Sequence, residues 1–84
     1  MIKEKTEWTL PAYTDAKDIF EYVYTALREK GHNPVMQMIG YLTSGDPTYI
    51  TSYKNARTMI RRAERDDLLE MLIKYYAENE LKDE

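Results

Sequence analysis

The sequence predicts an all-α protein: a small compact bundle of four to five short helices with short turns, helix-turn-helix-like and homodimeric. Two observations support the helical prediction. Apolar residues recur at helical spacing along most of the chain, and brief segments containing proline, glycine or asparagine separate the helical stretches. The one β-rich fragment, Thr48 to Tyr53, is short and carries capping residues, so no strand is expected there.

The length of 84 residues allows one domain. We predict a single helical domain at 14–79, a flexible N-terminal tail at 1–13 and a frayed C-terminal tail at 80–84. The N-terminal stretch has no helical period and is interrupted by Pro11. The last residues are polar, as is usual for a terminus that is not packed on the domain.

The first long helix is predicted to begin after Thr14 or Asp15, because either side chain suits an N-cap. Gly31 is expected to end it. The core-facing stripe follows the spacing of one helix face and comprises Ala16, Ile19, Phe20, Val23 and Leu27.

The stretch from Asn33 to Pro47 predicts a short helix at about 34–44 on which the rest of the chain is organised. Asn33 suits the N-cap, and Gly45 suits a left-handed helix end. The apolar face of this helix is predicted from Val35, Met38, Ile39 and Leu42. The residues that follow predict a capped turn or a single helical turn, with Tyr49 and Ile50 pointing inward.

Residues 52–79 contain two apolar sets that lie roughly on opposite sides of a helix. The first set is Ala56, Met59, Ile60 and Ala63, and the second is Leu68, Leu69, Leu72, Ile73, Tyr75 and Tyr76. One straight amphipathic helix has a single apolar face. We therefore predict a break near Arg65 and Asp66, with Asp66 as a new N-cap and helices at about 52–64 and 66–79. The alternative is one continuous helix whose second half faces another chain.

Bulk composition narrows the class of protein. The chain has no cysteine, which excludes a disulfide framework and a cysteine zinc site. It has no apolar run long enough to span a membrane and no secretory h-region at its start, so we expect a cytoplasmic protein without membrane insertion.

A domain this small buries only roughly 60–65% of its unfolded surface. The core is therefore marginal on its own, and the chain has eight tyrosines, a residue type that is favoured at interfaces. Both observations predict a homodimer.

Charge is unevenly distributed along a chain whose formal net charge is −3. Residues 54–65 hold five basic residues against one acid, and residues 66–84 hold seven acids against two lysines. Arg57, Arg61 and Arg65 lie at i, i+4 and i+8, a stripe that suggests an alternative function as a helix-turn-helix-like nucleic-acid-binding protein. The neighbouring acids favour a salt-bridged surface helix instead, so nucleic acid is not the expected partner.

The residue types do not assemble a catalytic set, and we predict no enzyme activity, no metal and no cofactor. The chain has no cysteine nucleophile, and its three glycines are too scattered to form a phosphate-binding loop. His32 is the only histidine and is interpreted as a loop residue near a helix end. Asp66 and Asp67 are adjacent, so they point to different faces of a helix and suit capping.

Three stretches of the chain carry a family resemblance. They read EKGHNPVMQMIGYLTSGDPTYIT, KNARTMIR and ERDDLLEMLIKYY. Together they resemble the small Firmicute proteins known as IreB-type regulatory phosphoproteins, over about residues 20–76. The chain departs from the family pattern at His32, Met36 and Thr51, where the family usually has tyrosine, asparagine and proline.

The resemblance implies an all-helical homodimer that regulates by protein–protein interaction in cell-envelope stress signalling, with an unidentified downstream protein as partner. It also implies control by a membrane-anchored Ser/Thr kinase of the PASTA type, whose cytoplasmic kinase domain phosphorylates threonine in the N-terminal tail. The stretch Lys5-Thr6-Glu7-Trp8 is the nearest match to the family's phosphorylated segment. Thr6 is therefore the first candidate for phosphorylation and Thr9 the second.

Several residues in the basic segment and the matched stretches are polar or amphipathic, and core packing alone does not require them. We predict that they line a homodimer interface or a shallow partner pocket: Gln37, Tyr41, Tyr49, Arg57, Arg61 and Arg65. A phosphate adds about −1.5 to −2 charges. Phosphorylated Thr6 is therefore expected to be attracted to Arg57, Arg61 or Arg65.

Overall fold

The computed structural model describes residues 10–81, which form four α-helices and two 3-10 turns. The helices are α1 (Ala16–Glu29), α2 (Pro34–Ser44), α3 (Ala56–Ile60) and α4 (Arg65–Glu80), and the 3-10 turns are Pro47–Tyr49 and Tyr53–Asn55. This part of the chain contains no strand. The all-α prediction is confirmed, whereas most of the predicted N-terminal tail (1–9) and the end of the C-terminal tail (82–84) lie outside the described residues.

Helix α1 forms where the sequence predicts it and is the central element of the bundle. Asp15 is its N-cap, and the carboxylate accepts a hydrogen bond from the Lys17 N–H at 3.3 Å. The buried face consists of Ile19, Val23, Ala26 and Leu27. This face is covered because α1 contacts all three of the other α-helices.

Helix α2 has the predicted ends. The side chain of Asn33 accepts a hydrogen bond from the Met36 N–H at 3.2 Å, and Pro34 occupies the first helical position, where a missing N–H is not needed. Gly45 ends the helix with a φ of 77°, and its N–H donates to Tyr41 O. A left-handed φ of this kind is adopted readily by glycine, so the cap explains the residue type.

The buried face of α2 differs from the predicted one. Met38 and Tyr41 are buried, whereas Val35 and Ile39 are 52% and 49% exposed. The helix packs against α1 on one side and against the first 3-10 turn on another. The prediction that Val35 and Ile39 belong to the core was therefore wrong, because periodicity identifies an apolar face but not the element that covers it.

The first 3-10 turn, Pro47–Tyr49, is the single helical turn that the sequence predicts. Asp46 caps it, and the carboxylate accepts hydrogen bonds from the Thr48 N–H at 3.0 Å and the Thr48 hydroxyl at 2.7 Å. Ile50 is buried as predicted. The inward orientation predicted for Tyr49 was wrong, since this residue is 41% exposed and its ring lies on the surface of α2.

The predicted break in the last helical region is confirmed, but it lies earlier than expected. Helix α3 ends at Ile60, and residues 61–64 form the α3–α4 turn. The N-cap position of α4 is Glu64 rather than Asp66, which lies in the first helical turn. The change of direction allows Ile60 and Leu68, which belong to opposite apolar sets, to be buried in one core.

The predicted helix at 52–64 is also shorter than expected. Helix α3 has 5 residues, because Lys54 and Asn55 before it take φ values of 53° and 58°. Such left-handed values are uncommon for residues other than glycine and are maintained here by contacts with α1. The Tyr22 hydroxyl donates to Lys54 O at 2.8 Å, and Lys54 Nζ lies 2.9 Å from Glu29 Oε1.

Candidate functional site

The six residues predicted to line an interface fall into two groups. The first group lies at the end of the first 3-10 turn and consists of Gln37, Tyr49 and Arg57. The other group borders a recess beside the α3–α4 turn and consists of Tyr41, Arg61 and Arg65. The structure therefore brings each group together but does not join the six residues in one surface.

The first group attaches the end of the 3-10 turn to α2 through Gln37 and to α3 through Arg57. Gln37 Nε2 donates to Tyr49 O at 2.8 Å, and Arg57 Nε donates to Ile50 O at 2.9 Å. The Tyr49 ring comes so close to Gly40 that a Cβ at that position would overlap it. These side chains satisfy carbonyls outside the helices, which gives them a structural role.

Two charged side chains near this region have pKa values shifted from their ordinary values. The hydrogen bonds from the Thr48 N–H and hydroxyl lower the pKa of the Asp46 carboxyl, and the nearby Arg57 charge contributes less. The hydrogen bond and charge of Glu29 raise the pKa of the Lys54 ammonium. Both groups are thereby held in their charged forms in the folded chain.

The second group borders what we call the arginine recess, a concavity of about 310 Å³. It is lined by Tyr41, Gly45, Pro47, Arg61, Ala63, Glu64 and Arg65. Arg65 Nη1 donates to Leu42 O at 3.1 Å and packs its guanidinium against Gly45. Arg61 is exposed. The lining contributes two guanidinium groups and one carboxylate, that of Glu64, so the recess suits an anion.

Arg62 is a contact residue that the sequence analysis did not identify. Its Nη1 donates to Pro11 O at 2.6 Å and to Tyr13 O at 3.1 Å. These bonds join the N-terminal segment to the α3–α4 turn across 51 and 49 positions of sequence. Such a contact has no periodic signature, and the excess of arginine in residues 54–65 was the only sign of it.

The predicted phosphorylation sites, Thr6 and Thr9, lie outside the described residues. The description of the chain begins at Leu10, whose partly buried side chain packs against the core. Pro11 follows immediately and is bound by Arg62. Residues 10–13 therefore lie against the bundle beside the α3–α4 turn.

The predicted stripe of Arg57, Arg61 and Arg65 does not form on one helix. Arg57 lies in α3 and Arg65 begins α4, with the α3–α4 turn between them. Both donate to backbone carbonyls. Among residues 10–81 the ion pairs join lysines to glutamates: Lys17 to Glu21, Lys54 to Glu29 and Lys74 to Glu70. The described contacts therefore support neither a nucleic-acid stripe nor a salt-bridged arginine helix.

Helix α4 presents a second apolar face that its own chain leaves uncovered in the described structure. Leu68 is its buried residue. The uncovered face, here called the outer α4 face, consists of Leu69, Ile73 and Tyr76, which are 40%, 68% and 61% exposed. Their spacing of i, i+4 and i+7 places them on one side of the helix. The second half of α4 therefore directs apolar groups away from the bundle.

Three or more metal-ligating side chains do not come together anywhere in residues 10–81. The helices in the same range lack the combination of length and apolar character that crossing a membrane requires.

The fold and these surfaces define a small all-α protein with an anion-suited recess and an uncovered apolar face. A family model described as IreB regulatory phosphoprotein matches residues 5–78. A UPF0297 protein of Ruminiclostridium cellulolyticum is 62% identical over 65 residues, which is 77% of this chain and 74% of the relative. A UPF0297 protein of Lachnoclostridium phytofermentans is 58% identical over 66 residues, 79% of this chain and 75% of the relative. The chain belongs to the IreB family of regulatory phosphoproteins, which supports a regulatory role.

Proposed function

We propose that this chain is a non-catalytic regulatory phosphoprotein that acts in the cytoplasm by binding an unidentified downstream protein in cell-envelope stress signalling. A membrane-anchored Ser/Thr kinase of the PASTA type controls it by phosphorylation. The observation that carries this proposal is the match of residues 5–78 to a family of regulatory phosphoproteins.

The proposed phosphorylation site lies in the first nine residues. Thr6 and Thr9 are the two hydroxyl-bearing residues of this stretch. Arg62 of the α3–α4 turn binds the chain at Pro11 and Tyr13, and Thr9 and Thr6 precede Pro11 by two and five positions of sequence. A phosphate on either threonine adds about −1.5 to −2 charges to a segment whose two lysines and two glutamates balance.

The regulator is proposed to act as a homodimer, with a second copy of the chain on the outer α4 face. A domain of this length is marginal on its own core, and burial of further apolar surface stabilises it. Ile73 and Tyr76 lie in the part of α4 beyond its buried residue, Leu68. An isolated helix shorter than about 12–15 residues is marginal in water, so this part of α4 benefits from a partner surface.

The proposed function is tested by mapping phosphorylation on the native protein from cells with and without the cognate kinase. Mass spectrometry is expected to find kinase-dependent phosphate on Thr6 or Thr9. Thr6→Ala and Thr9→Ala identify the site, and Thr58→Ala, which removes an exposed threonine on α3, is the matched control. An unmodified N-terminal segment in kinase-containing cells under envelope stress would contradict the proposal.

A further inference from the structure

We propose that the arginine recess is an intramolecular binding site for phosphothreonine in the N-terminal segment of the same chain. Arg61 and Arg65 bind the phosphate, and Arg62 holds the segment so that the phosphate reaches them. The inference rests on the proposed function for the presence of the phosphate, and it adds the place where the phosphate binds.

The first support is the anchoring of the segment. Arg62 Nη1 binds the carbonyls of both Pro11 and Tyr13 and lies 3.7 Å from the Met59 sulfur, which fixes the arginine against α3. A guanidinium that binds two carbonyls of a non-helical segment determines where that segment crosses the turn. The neighbouring side chain, Arg61, borders the recess.

The second support is the reach of the chain. An extended residue spans at most about 3.6 Å, so Thr9 lies within about 7 Å of Pro11 and Thr6 within about 18 Å. Only a short length of chain therefore separates each threonine from the residues that Arg62 binds. Binding within one chain also raises the effective concentration of the phosphate, commonly to the millimolar range for short flexible links, so a weak contact suffices.

The third support is the contrast in charge between nearby concavities. The concavity beside Tyr13 contains the carboxylates of Asp18 and Glu21 and no basic side chain. The groove between α1 and α4 contains three carboxylates and two lysines, namely Asp67, Glu70, Glu78, Lys17 and Lys74. The arginine recess has two guanidinium groups against Glu64. A phosphate entering this region is therefore repelled by the first two concavities and attracted by the third.

The hydrogen-bonding capacity of the arginines fits this role. Arg65 uses Nη1 for Leu42 O, and a guanidinium carries five N–H donors, so further donors remain for a phosphate. Paired N–H groups of arginine match phosphate oxygens in geometry. Occupancy of the recess covers Gly45 and Pro47, which are partly exposed, so phosphorylation hides a surface that the unmodified chain presents.

The test installs phosphothreonine at position 6 or 9 of the full chain during translation, so it does not depend on the kinase. Backbone amide signals of residues 61–65 are expected to shift relative to the unmodified chain, independently of protein concentration. The phosphate is expected to titrate at lower pH than in a peptide of residues 1–13 carrying the same phosphothreonine, because guanidinium groups favour its dianion. Both effects are expected to shrink at about 0.5 M salt, where the Debye length is only a few ångströms.

Matched variants show which arginines cause the shift of the amide signals and the shift of the phosphate titration. Arg61→Gln is expected to remove most of both shifts while circular dichroism stays unchanged, since Arg61 is exposed. Arg62→Gln is expected to weaken them through loss of the anchor. Arg28→Gln, at the opposite end of α1, leaves them unchanged.

Phosphate that titrates as in the peptide, with residues 61–65 unshifted, would overturn the inference and leave kinase-dependent phosphorylation intact. Shifts that grow with protein concentration, or that vanish in an Ile73→Glu variant made to prevent pairing through the outer α4 face, would assign the phosphate to another copy of the chain and would also overturn it. Absence of phosphorylation in cells, by contrast, counts against the proposed function and not against this binding site.

Discussion

Helices α1 and α4 are similar in length, 14 and 16 residues, but they are stabilised differently. Helix α1 buries one continuous face against the other helices of its own chain. Helix α4 buries Leu68 and leaves Leu69, Ile73 and Tyr76 uncovered. The single apolar face of α1 is covered by its own bundle, whereas the second apolar face of α4 is left exposed by the described part of the chain.

The largest expected effect is the difference between α1 and α4 in how much free energy of unfolding is lost when one apolar side chain is truncated. Leu27→Ala in α1 is expected to lower the free energy of unfolding by about 2–5 kcal/mol, because it leaves a cavity in the core. Ile73→Ala on the outer α4 face is expected to change it by less than about 0.5 kcal/mol in dilute, monomeric protein. Urea unfolding at low concentration measures both values. Equal losses would show that the two helices do not differ in this way.

The next effect tests whether α2 is covered by its own chain. Gly40→Ala is expected to destabilise the protein by about 1–3 kcal/mol, because the new methyl group overlaps the Tyr49 ring. In a Tyr49→Ala background the same substitution is expected to stabilise by about 0.5–1 kcal/mol, since alanine is the better helix former. Thermal unfolding of the four proteins measures the change of sign. The same sign in both backgrounds would contradict the close contact.

The smallest effect concerns the capped turn. The pKa of Asp46 is lowered from its ordinary value of 3.8, so its carboxylate contributes stability that is present above that value and is lost as pH falls through the folded-state pKa. Asp46→Asn lacks this contribution. The stability difference between the two proteins is expected to be constant from about pH 5 to pH 8 and to narrow below about pH 4. Urea unfolding across pH measures it, and an unchanged difference at about pH 3 would contradict the assignment.

The helix ends were predictable because their signals are local. Asp15, Asn33 and Gly45 act within a few residues of their own position, and each has the role that the sequence predicts. The number of helices and the break before α4 follow from the same short-range patterns. Periodicity identified an apolar face of α2 but not which of its residues are covered, since that depends on where the first 3-10 turn packs.

The long-range contacts were not predictable from the sequence. The left-handed pair Lys54 and Asn55 depends on Tyr22 and Glu29, which lie in α1. The bond from Arg62 to Pro11 spans most of the chain. Such contacts form only after the helices have packed, so residue order alone does not reveal them.

The predicted site residues show the same difference between local signals and long-range contacts. Gln37 and Arg57 were predicted from their polarity to bind a partner, and in the structure each binds a carbonyl of its own chain. Tyr41, Arg61 and Arg65 do meet at one recess. A polar residue that the core does not require can therefore serve a turn as readily as a partner, and only the packed structure separates the two roles.

Sedimentation equilibrium at tens of micromolar tests most directly whether a second copy of the chain covers the outer α4 face. Wild-type protein is expected to sediment at twice the chain mass of 10.0 kDa, and Ile73→Glu at the mass of one chain, because a charge is introduced into an apolar interface. Thr58→Glu, which adds the same charge to the exposed surface of α3, is expected to behave as the wild type. Wild-type protein that sediments as a single chain, or an Ile73→Glu variant that still pairs, would contradict the assignment of this face.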